Sequence, residues 1–387
     1  MAKRLPGRRA ALAGVLAAAL TAMGVSQCGG TSGNNTVTVS GSTLTVYASE
    51  PQNITAQRAT DVLDAEQLAL SQLGSKVSGF TIRFVALHAK PSDNARTAIQ
   101  DKTAIAYLGE LSPGVSAGTM GITNAQDLLQ VSPTDTALEL TQSTPVVHGA
   151  PGDYYEAHGT YGNTFARVVP SSAPEARAQA AMMRSLSVSK LYVANDGSSY
   201  GKAVAHAVRQ DAAAAGITAA QGPPTAAGFS SSGADALFFG ASAAAAGRAA
   251  QLFGAVGARA KLFAPSALVA AALPTGSYIS EPGFLPKQVP ALGQSQFVKP
   301  FVARYGHRPA TQAIFGYEAM AALLSVLGQA GTHANNRTTV VHDFFAIRNR
   351  QSVIGTYSID SGGDPSIAPF IFSRFQGGAP VPWRAAP

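Results

Sequence analysis

The chain has 387 residues, 46% of them hydrophobic and 13% charged, with a formal net charge of +7. That is enough apolar material for a substantial core and too much length for one typical domain, so two lobes are expected. Residues 1–27 hold four Lys/Arg and no acid, so the charge of the remainder falls to +3, and no Lys/Arg cluster interleaved with aromatics is left to suggest nucleic acid as a partner.

The chain starts with a basic head (Lys3, Arg4, Arg8, Arg9), an apolar run from Ala10 to about Met23 and a small-residue exit. This reads as a secretion signal over residues 1–27, not a transmembrane helix. The only cysteine, Cys28, has no intrachain disulfide partner. It stands where bacterial lipoproteins carry their acylated thiol. Val25-Ser26-Gln27-Cys28 resembles a lipobox, with Gln27 in the place usually held by Gly, Ala or Ser. The expectation is a lipid anchor at Cys28 and a location on the outer face of the membrane. The alternative is ordinary cleavage, giving a secreted or periplasmic protein with Cys28 a spectator. Residues 28–42 are polar and read as a flexible tether.

The folded part opens with a strand, Leu44 to Ala48. A helix follows from Ala56 to Leu73, with Ala59, Val62, Leu63, Ala69, Leu70 and Leu73 on one face. Phe80, Ile82 and Phe84 alternate with polar residues as a half-buried strand. Two short apolar runs come next, Ala104 to Leu108 and Leu128 to Val131. Each leads into a loop of small hydroxyl residues, Ser112 and Ser116 in the first, Ser132, Thr134 and Thr136 in the second. Ligands sit at the C-terminal ends of strands in open parallel sheets. Backbone N–H groups, hydroxyls and a helix N-terminus can together hold a carboxylate without any basic side chain. That is chemistry for binding, with no evident catalyst. Asp135, inside the second loop, reads as a solvated turn residue or helix cap.

Beyond Thr141 a polar stretch with Pro145, Pro151 and Gly152 separates a second unit. It opens at Phe165 to Val168 and a helix near Pro174. The strand Lys190 to Ala194, the helix Lys202 to Ala215 and a glycine cap at Gly216 follow. The unit repeats as Ala236 to Phe239, a helix from Ala243 to Val256, Gly257, and Leu262 to Ala264. Between Ile217 and Asp235, Gly222-Pro223-Pro224 and the Gly- and Ser-rich run 228–233 disfavour a long helix. Helices at Gln294 to Tyr305, Thr311 to Gly328 and Arg337 to Ile347 precede two strands, Thr356 to Ile359 and Phe370 to Phe375. The alternation predicts an α/β protein with parallel sheets.

The stretches YLGELSPGVSAG, QVSPTDTALELT, FARVVPSSAPEARAQA, KLYVANDGSSYGKAVA, GADALFFGA and GTYSIDSGGD carry a resemblance by their order and spacing. From about Leu44 to Phe375 the chain resembles the solute-binding proteins of ABC importers related to the leucine/isoleucine/valine-binding proteins. The resemblance implies the type I periplasmic binding fold: two lobes, each a mainly parallel sheet flanked by helices, joined by three crossovers with the ligand cleft between them. Lobe 1 is expected at 43–165 and 291–350, and lobe 2 at 166–290 and 351–387. The implied function is capture of a small polar solute, of the branched-chain amino acid, amide or related acid class, by hinge closure. The implied partner is an ABC transporter permease. Ser112, Ser116, Ser132, Thr134 (through its backbone) and Thr136 match the positions that hold an amino-acid carboxylate in relatives, and Tyr200 matches the aromatic that closes over the ligand.

Two departures stand out. Ser266 occupies the position where amino-acid-binding relatives carry an acid for the ammonium group, and Gly240-Ala241-Ser242-Ala243 replaces a second aromatic. An unpaired buried ammonium costs several kcal/mol, roughly. The alternative function is therefore a sensor or envelope interaction module with a drifted pocket. A serine hydrolase is the weaker third reading. Gly114-Val115-Ser116-Ala117-Gly118 and Gly197-Ser198-Ser199-Tyr200-Gly201 both fit G-x-S-x-G, but neither serine directly follows its strand. The seven histidines, His148 and His158 among them, show no metal-ligand spacing, and no cofactor fingerprint is present. The expectation is a protein that is not an enzyme and uses neither metal nor cofactor.

Overall fold

The computed structural model describes residues 36–50, 56–155 and 161–387. The secretion signal, Cys28 and His158 lie outside the described residues. In chain order the elements are β1 (Thr43–Ser49), α1 (Ala56–Leu73), β2 (Lys76–Val77), β3 (Phe80–Leu87), α2 (Pro91–Gln100), β4 (Ala104–Leu108), α3 (Met120–Asn124), β5 (Leu129–Ser132) and β6 (Phe165–Arg167). Next come α4 (Ser172–Ser185), β7 (Lys190–Asn195), α5 (Ser199–Ala214), β8 (Thr218–Gln221), α6 (Ala226–Ser232), β9 (Ala236–Gly240), α7 (Ala246–Val256), β10 (Lys261–Ala264) and β11 (Tyr278–Pro282). A π-helical turn, Gly293–Val298, leads into α8 (Lys299–Tyr305). The chain ends with α9 (Ala313–Ala330), α10 (Arg337–Phe345), β12 (Arg350–Ser352), β13 (Gly355–Tyr357), β14 (Phe370–Gln376) and β15 (Ala379–Ala385).

Two sheets organise the chain. The first runs β2-β3-β1-β4-β5-β6, and the second β15-β14-β11-β10-β9-β7-β8. In the first sheet β3, β1, β4, β5 and β6 are parallel, and in the second β8, β7, β9, β10 and β11 are. Both are doubly wound, with the strand order reversing between β1 and β4 and between β7 and β9, the switch points at which open α/β sheets place their ligands.

Period-2 alternation accounts for the cores. Leu191 and Val193 face the cluster formed with α4 and α5, while Tyr192 and Ala194 face the one formed with α6 and α7. A sheet covered on both faces reads as a continuous apolar run, and Ala236–Gly240 is buried throughout. In the first sheet Leu44, Val46 and Ala48 join the large core with α1 and α9, while Tyr47 turns to α2. The α1–α9 crossing is close enough that a Cβ on Gly316 would sit 2.6 Å from the Val62 carbonyl oxygen. Helix α9 is long and apolar enough to cross a membrane, yet 78% of its apolar window is buried in this core.

Three crossovers link the sheets, at 168–171, 283–292 and 358–369. They lie against one another: Arg167 N donates to Gly363 O at 2.9 Å and Gly283 N to Pro369 O at 3.0 Å. Gly363, at φ +96°, packs so tightly that an added Cβ would lie 2.5 Å from Phe165 O.

Some segments depart from the sequence reading. The stretch expected to be a tether is docked where it enters the described residues. Val39 is buried, Val39 N donates to Asn335 O at 2.7 Å, and Arg337 N donates to Val37 O at 2.9 Å. Leu73, placed on the apolar face of α1, is the helix's last residue and is 52% exposed. Helices α2 and α3 and strands β2, β8, β11, β12 and β15 have no counterpart in the sequence reading. The α2 sequence is polar with Pro91 at its start and buries only Asn94, Ala95 and Ala98. β11 looks too polar for a core strand, but its Ser280 and Glu281 are buried with hydrogen-bond partners. β15 carries Pro380 and Pro382, which only an outermost strand tolerates. The 218–235 region holds a strand and a seven-residue helix, α6, started by the Thr225 cap and stopped by Gly233 in the left-handed region.

Candidate functional site

Parallel pairing of β4 with β5 puts their following loops side by side, since Leu108 pairs with Val131. In the second sheet, β7, β9 and β10 likewise end together and project the 196–201, 241–245 and 265–268 segments. The two sets meet. Thr136 Oγ1 lies 3.1 Å from Ser266 Oγ, and a Cβ on Gly114 would sit 3.2 Å from Tyr200 Cβ. Apolar packing follows the same line, with Met120, Ala137 and Leu140 in one cluster with Tyr200 and Val204.

Within the first sheet's loops most hydroxyls serve the backbone. Ser132 Oγ donates to Glu110 O (2.6 Å) and accepts from Asp135 N (2.8 Å), and Thr134 Oγ1 donates to Leu111 O (2.6 Å). Ser116 Oγ accepts from Glu110 N at 3.1 Å. Ser112 is buried. Thr136 is the hydroxyl of this set that reaches the other lobe.

Asp135 corrects the sequence reading. It is fully buried, not solvated, and its carboxylate accepts from Gly114 N (2.7 Å), Ser116 N (2.9 Å) and Ala137 N (3.1 Å). It thereby staples the two loops and occupies their converging N–H groups. Burial raises its pKa even though these bonds pull it down.

On the facing lobe Tyr200 sits in the first turn of α5. Ser198 caps that helix, accepting from Gly201 N at 3.0 Å. Asp196 binds the cap, accepting from Ser198 N (2.9 Å), and also ties in the loop after β9 through Ser242 N (2.9 Å) and Ser242 Oγ (2.8 Å). Gly201 and Gly240 allow α5 to approach β9: an added Cβ on Gly201 would lie 2.7 Å from Gly240 O. Tyr200 is 2% exposed, with its hydroxyl beside the Ser266 and Thr136 hydroxyls and the Ala267 backbone N–H. Burial, and then the charge of Glu175, push its pKa well above the phenolic range.

Buried acids surround this junction, and sequence reasoning missed them. Glu175 reaches from α4 to Ser266, accepting from Ser266 N (2.6 Å), Ser266 Oγ (3.1 Å) and Ser280 Oγ (2.6 Å). The acid absent at position 266 is thus supplied directly behind it. Glu110 accepts from Tyr107 (2.5 Å) and Ser49 (2.7 Å). Glu139 is 1% exposed, with Oε2 unpartnered, near Gly114 and Tyr154. Burial lifts each of these three glutamates to a pKa of about 7, and the charge of Asp135 adds to the rise for Glu110 and Glu139. The sequence signal was available in part: Glu110 and Glu139 each stand next to leucines inside otherwise apolar stretches.

Arg167, fully buried behind the second loop, is committed elsewhere. It pairs with Asp364 at 2.7 Å and donates to Asp135 O (3.0 Å), Ala137 O (2.7 Å) and Thr141 Oγ1 (2.6 Å).

No protein-family model and no curated protein matches the sequence. Solved structures do match in shape. A leucine-binding protein from Thermotoga maritima superposes with a TM-score of 0.73 at 18% identity, covering 89% of this chain and 98% of that one. An ABC transporter substrate-binding protein from Desulfitobacterium hafniense in complex with Leu gives 0.71 at 19% identity, covering 88% and 100%. A solute-binding protein of an ABC transporter from R. palustris, in complex with benzoate, gives 0.67 at 18%, covering 90% and 96%. The chain has the two-lobed α/β type I periplasmic binding fold of these proteins.

Proposed function

We propose that the chain is an extracytoplasmic solute-binding protein that captures a small polar solute for an ABC importer by hinge closure. The observation that carries this is the Thr136–Ser266 hydroxyl pair, 3.1 Å apart, by which strand-end loops of two separate sheets meet. Loops so placed enclose a guest when the lobes shut and release it when the crossovers flex. Neighbours of this shape hold leucine and benzoate, so the fold serves solutes with and without an ammonium group. In this reading Ser112, Ser116, Ser132, Thr134, Thr136, Tyr200 and Ser266 form the binding site. The lobes are divided near 165 and 290 and, later than the sequence reading of 350, beyond Tyr357, since Val353, Ile354 and Tyr357 pack into the core with α1 and α9. Residues 1–27 direct export, and Cys28 anchors the mature chain to the membrane, presenting it to a permease. Turnover is not part of the reading: the Ser116 hydroxyl is buried and accepts an N–H, and Ser199 is separated from the end of β7 at Asn195 by the Asp196–Ser198 segment instead of sitting on a tight turn directly after the strand.

A thermal-shift screen over amino acids, amides, short-chain acids, amines and sugars tests it. A solute at 100 times its Kd stabilises by about 2.7 kcal/mol. The sensor or interaction-module reading has one observation in its favour, the filling of the loop N–H groups by Asp135, and it expects no response to any solute.

A further inference from the structure

We propose that the solute, on the reading that this is a solute-binding cleft, carries a protonated amine or similar N–H donor and no carboxylate, with Glu139 as its acceptor and Asp135 as the residue that excludes acids. The argument rests on which groups are already used. The backbone donors that converge between the two first-lobe loops, Gly114 N, Ser116 N and Ala137 N, are bound by the carboxylate of Asp135 at 2.7 to 3.1 Å. A carboxylate guest would have to displace a covalently attached one held at high effective concentration. It would also meet a second carboxyl group in Glu139. The nearby guanidinium of Arg167 cannot compensate, because its nitrogens bind Asp364, Thr141 and the carbonyls of Asp135 and Ala137.

What remains unused is acceptor capacity. Glu139 is 1% exposed, yet its Oε2 lacks a hydrogen-bond partner. The Glu139 Oε1 atom and the Tyr200 ring flank the same Gly114, at 3.9 and 4.0 Å from its added Cβ, so the acid from one lobe lies at the junction with the aromatic from the other. A buried carboxylate oxygen without a donor is costly, and an N–H donor from a guest removes that cost.

The test is thermal shift and calorimetry on the mature chain with isopentylamine, putrescine and agmatine against isovalerate, leucine and benzoate. The amines are expected to bind and the carboxylates to be silent. Glu139→Gln, with an unchanged circular dichroism spectrum, should weaken the bound amine at least tenfold, and Asp135→Ala should gain a response to isovalerate or acetate. Binding of a carboxylate by the native chain with all amines silent overturns this inference while leaving solute capture standing. Silence toward both series and toward amides and sugars sinks solute capture as well. Unchanged amine affinity in folded Glu139→Gln removes Glu139 from the site.

Discussion

Arg167 Nε lies 2.7 Å from Asp364 Oδ1, and this pair fastens the first crossover to the third. Burial alone would raise the Asp364 pKa, but the Arg167 charge and hydrogen bonds from Gln142 and Thr141 outweigh it and hold the carboxyl below its usual range. Removing one member of a buried pair leaves the other charged and unpaired. Arg167→Met or Asp364→Asn should therefore cost about 3 kcal/mol or more. Urea unfolding checks this, and a loss below about 1 kcal/mol in both would show that the pair does not hold the hinge.

The pH profile should be lopsided. Glu110, Glu139 and Glu175 have folded pKa values raised to about 7 from 4.5, so their stabilising protonation is complete below the unfolded value and is lost as pH rises through about 7. The loss approaches about 1.4 kcal/mol per pH unit for each proton bound only in the folded state. Asp364 is lowered, so its contribution is present above the usual carboxylate pKa and lost as pH falls through the folded value. Melting temperature should peak near pH 5 and decline toward pH 8. Glu175→Gln, which can keep the bonds to Ser266 and Ser280, should flatten the decline.

Across the cleft, Tyr200→Ala and Thr136→Ala should each weaken a bound solute by at least about 1 kcal/mol, the scale of one buried contact or hydrogen bond. Calorimetry with any solute found by thermal shift reads this directly. Unchanged affinity in both variants would move the site elsewhere.

Gly316→Ala should destabilise the first lobe by about 1–3 kcal/mol, because its methyl group meets Val62 backbone that cannot rotate away. Gly328→Ala, on the same helix, meets nothing nearer than a Val77 methyl at 3.9 Å and serves as the comparison in denaturant melts.

Glu66, 1% exposed on α1, has neither carboxyl oxygen partnered, and burial drives its pKa far up. Glu66→Met should stabilise by about 1–3 kcal/mol at neutral pH, the desolvation penalty of an unpaired buried polar group. Less stabilisation at pH 4.5 than at pH 7.5 would confirm that the penalty is one of charge.

The fold was legible because its strands are short apolar runs between glycine-capped helices: Gly216 and Gly257 mark helix ends that the structure places at Ala214 and Val256. Strands whose polar residues are buried with partners, such as β11, give no such pattern, and a proline-bearing strand such as β15 reads as loop. The hydroxyl loops were also visible as loops. Their internal bonding was not, because nothing in Ser-Pro-Thr-Asp-Thr says that Asp135 folds back onto Gly114 and Ser116. Nor does Pro174-Glu175 announce that the acid will reach Ser266, 91 positions away.

The borders of both sheets leave little for another chain to pair with. β2 has two residues, β6 three and β8 four, and β15 has two prolines without an N–H to offer. Exposed strand borders are templates for intermolecular addition, and short or proline-bearing borders suppress it. The protein should therefore stay monodisperse at high concentration, which size-exclusion chromatography over a concentration series reads directly.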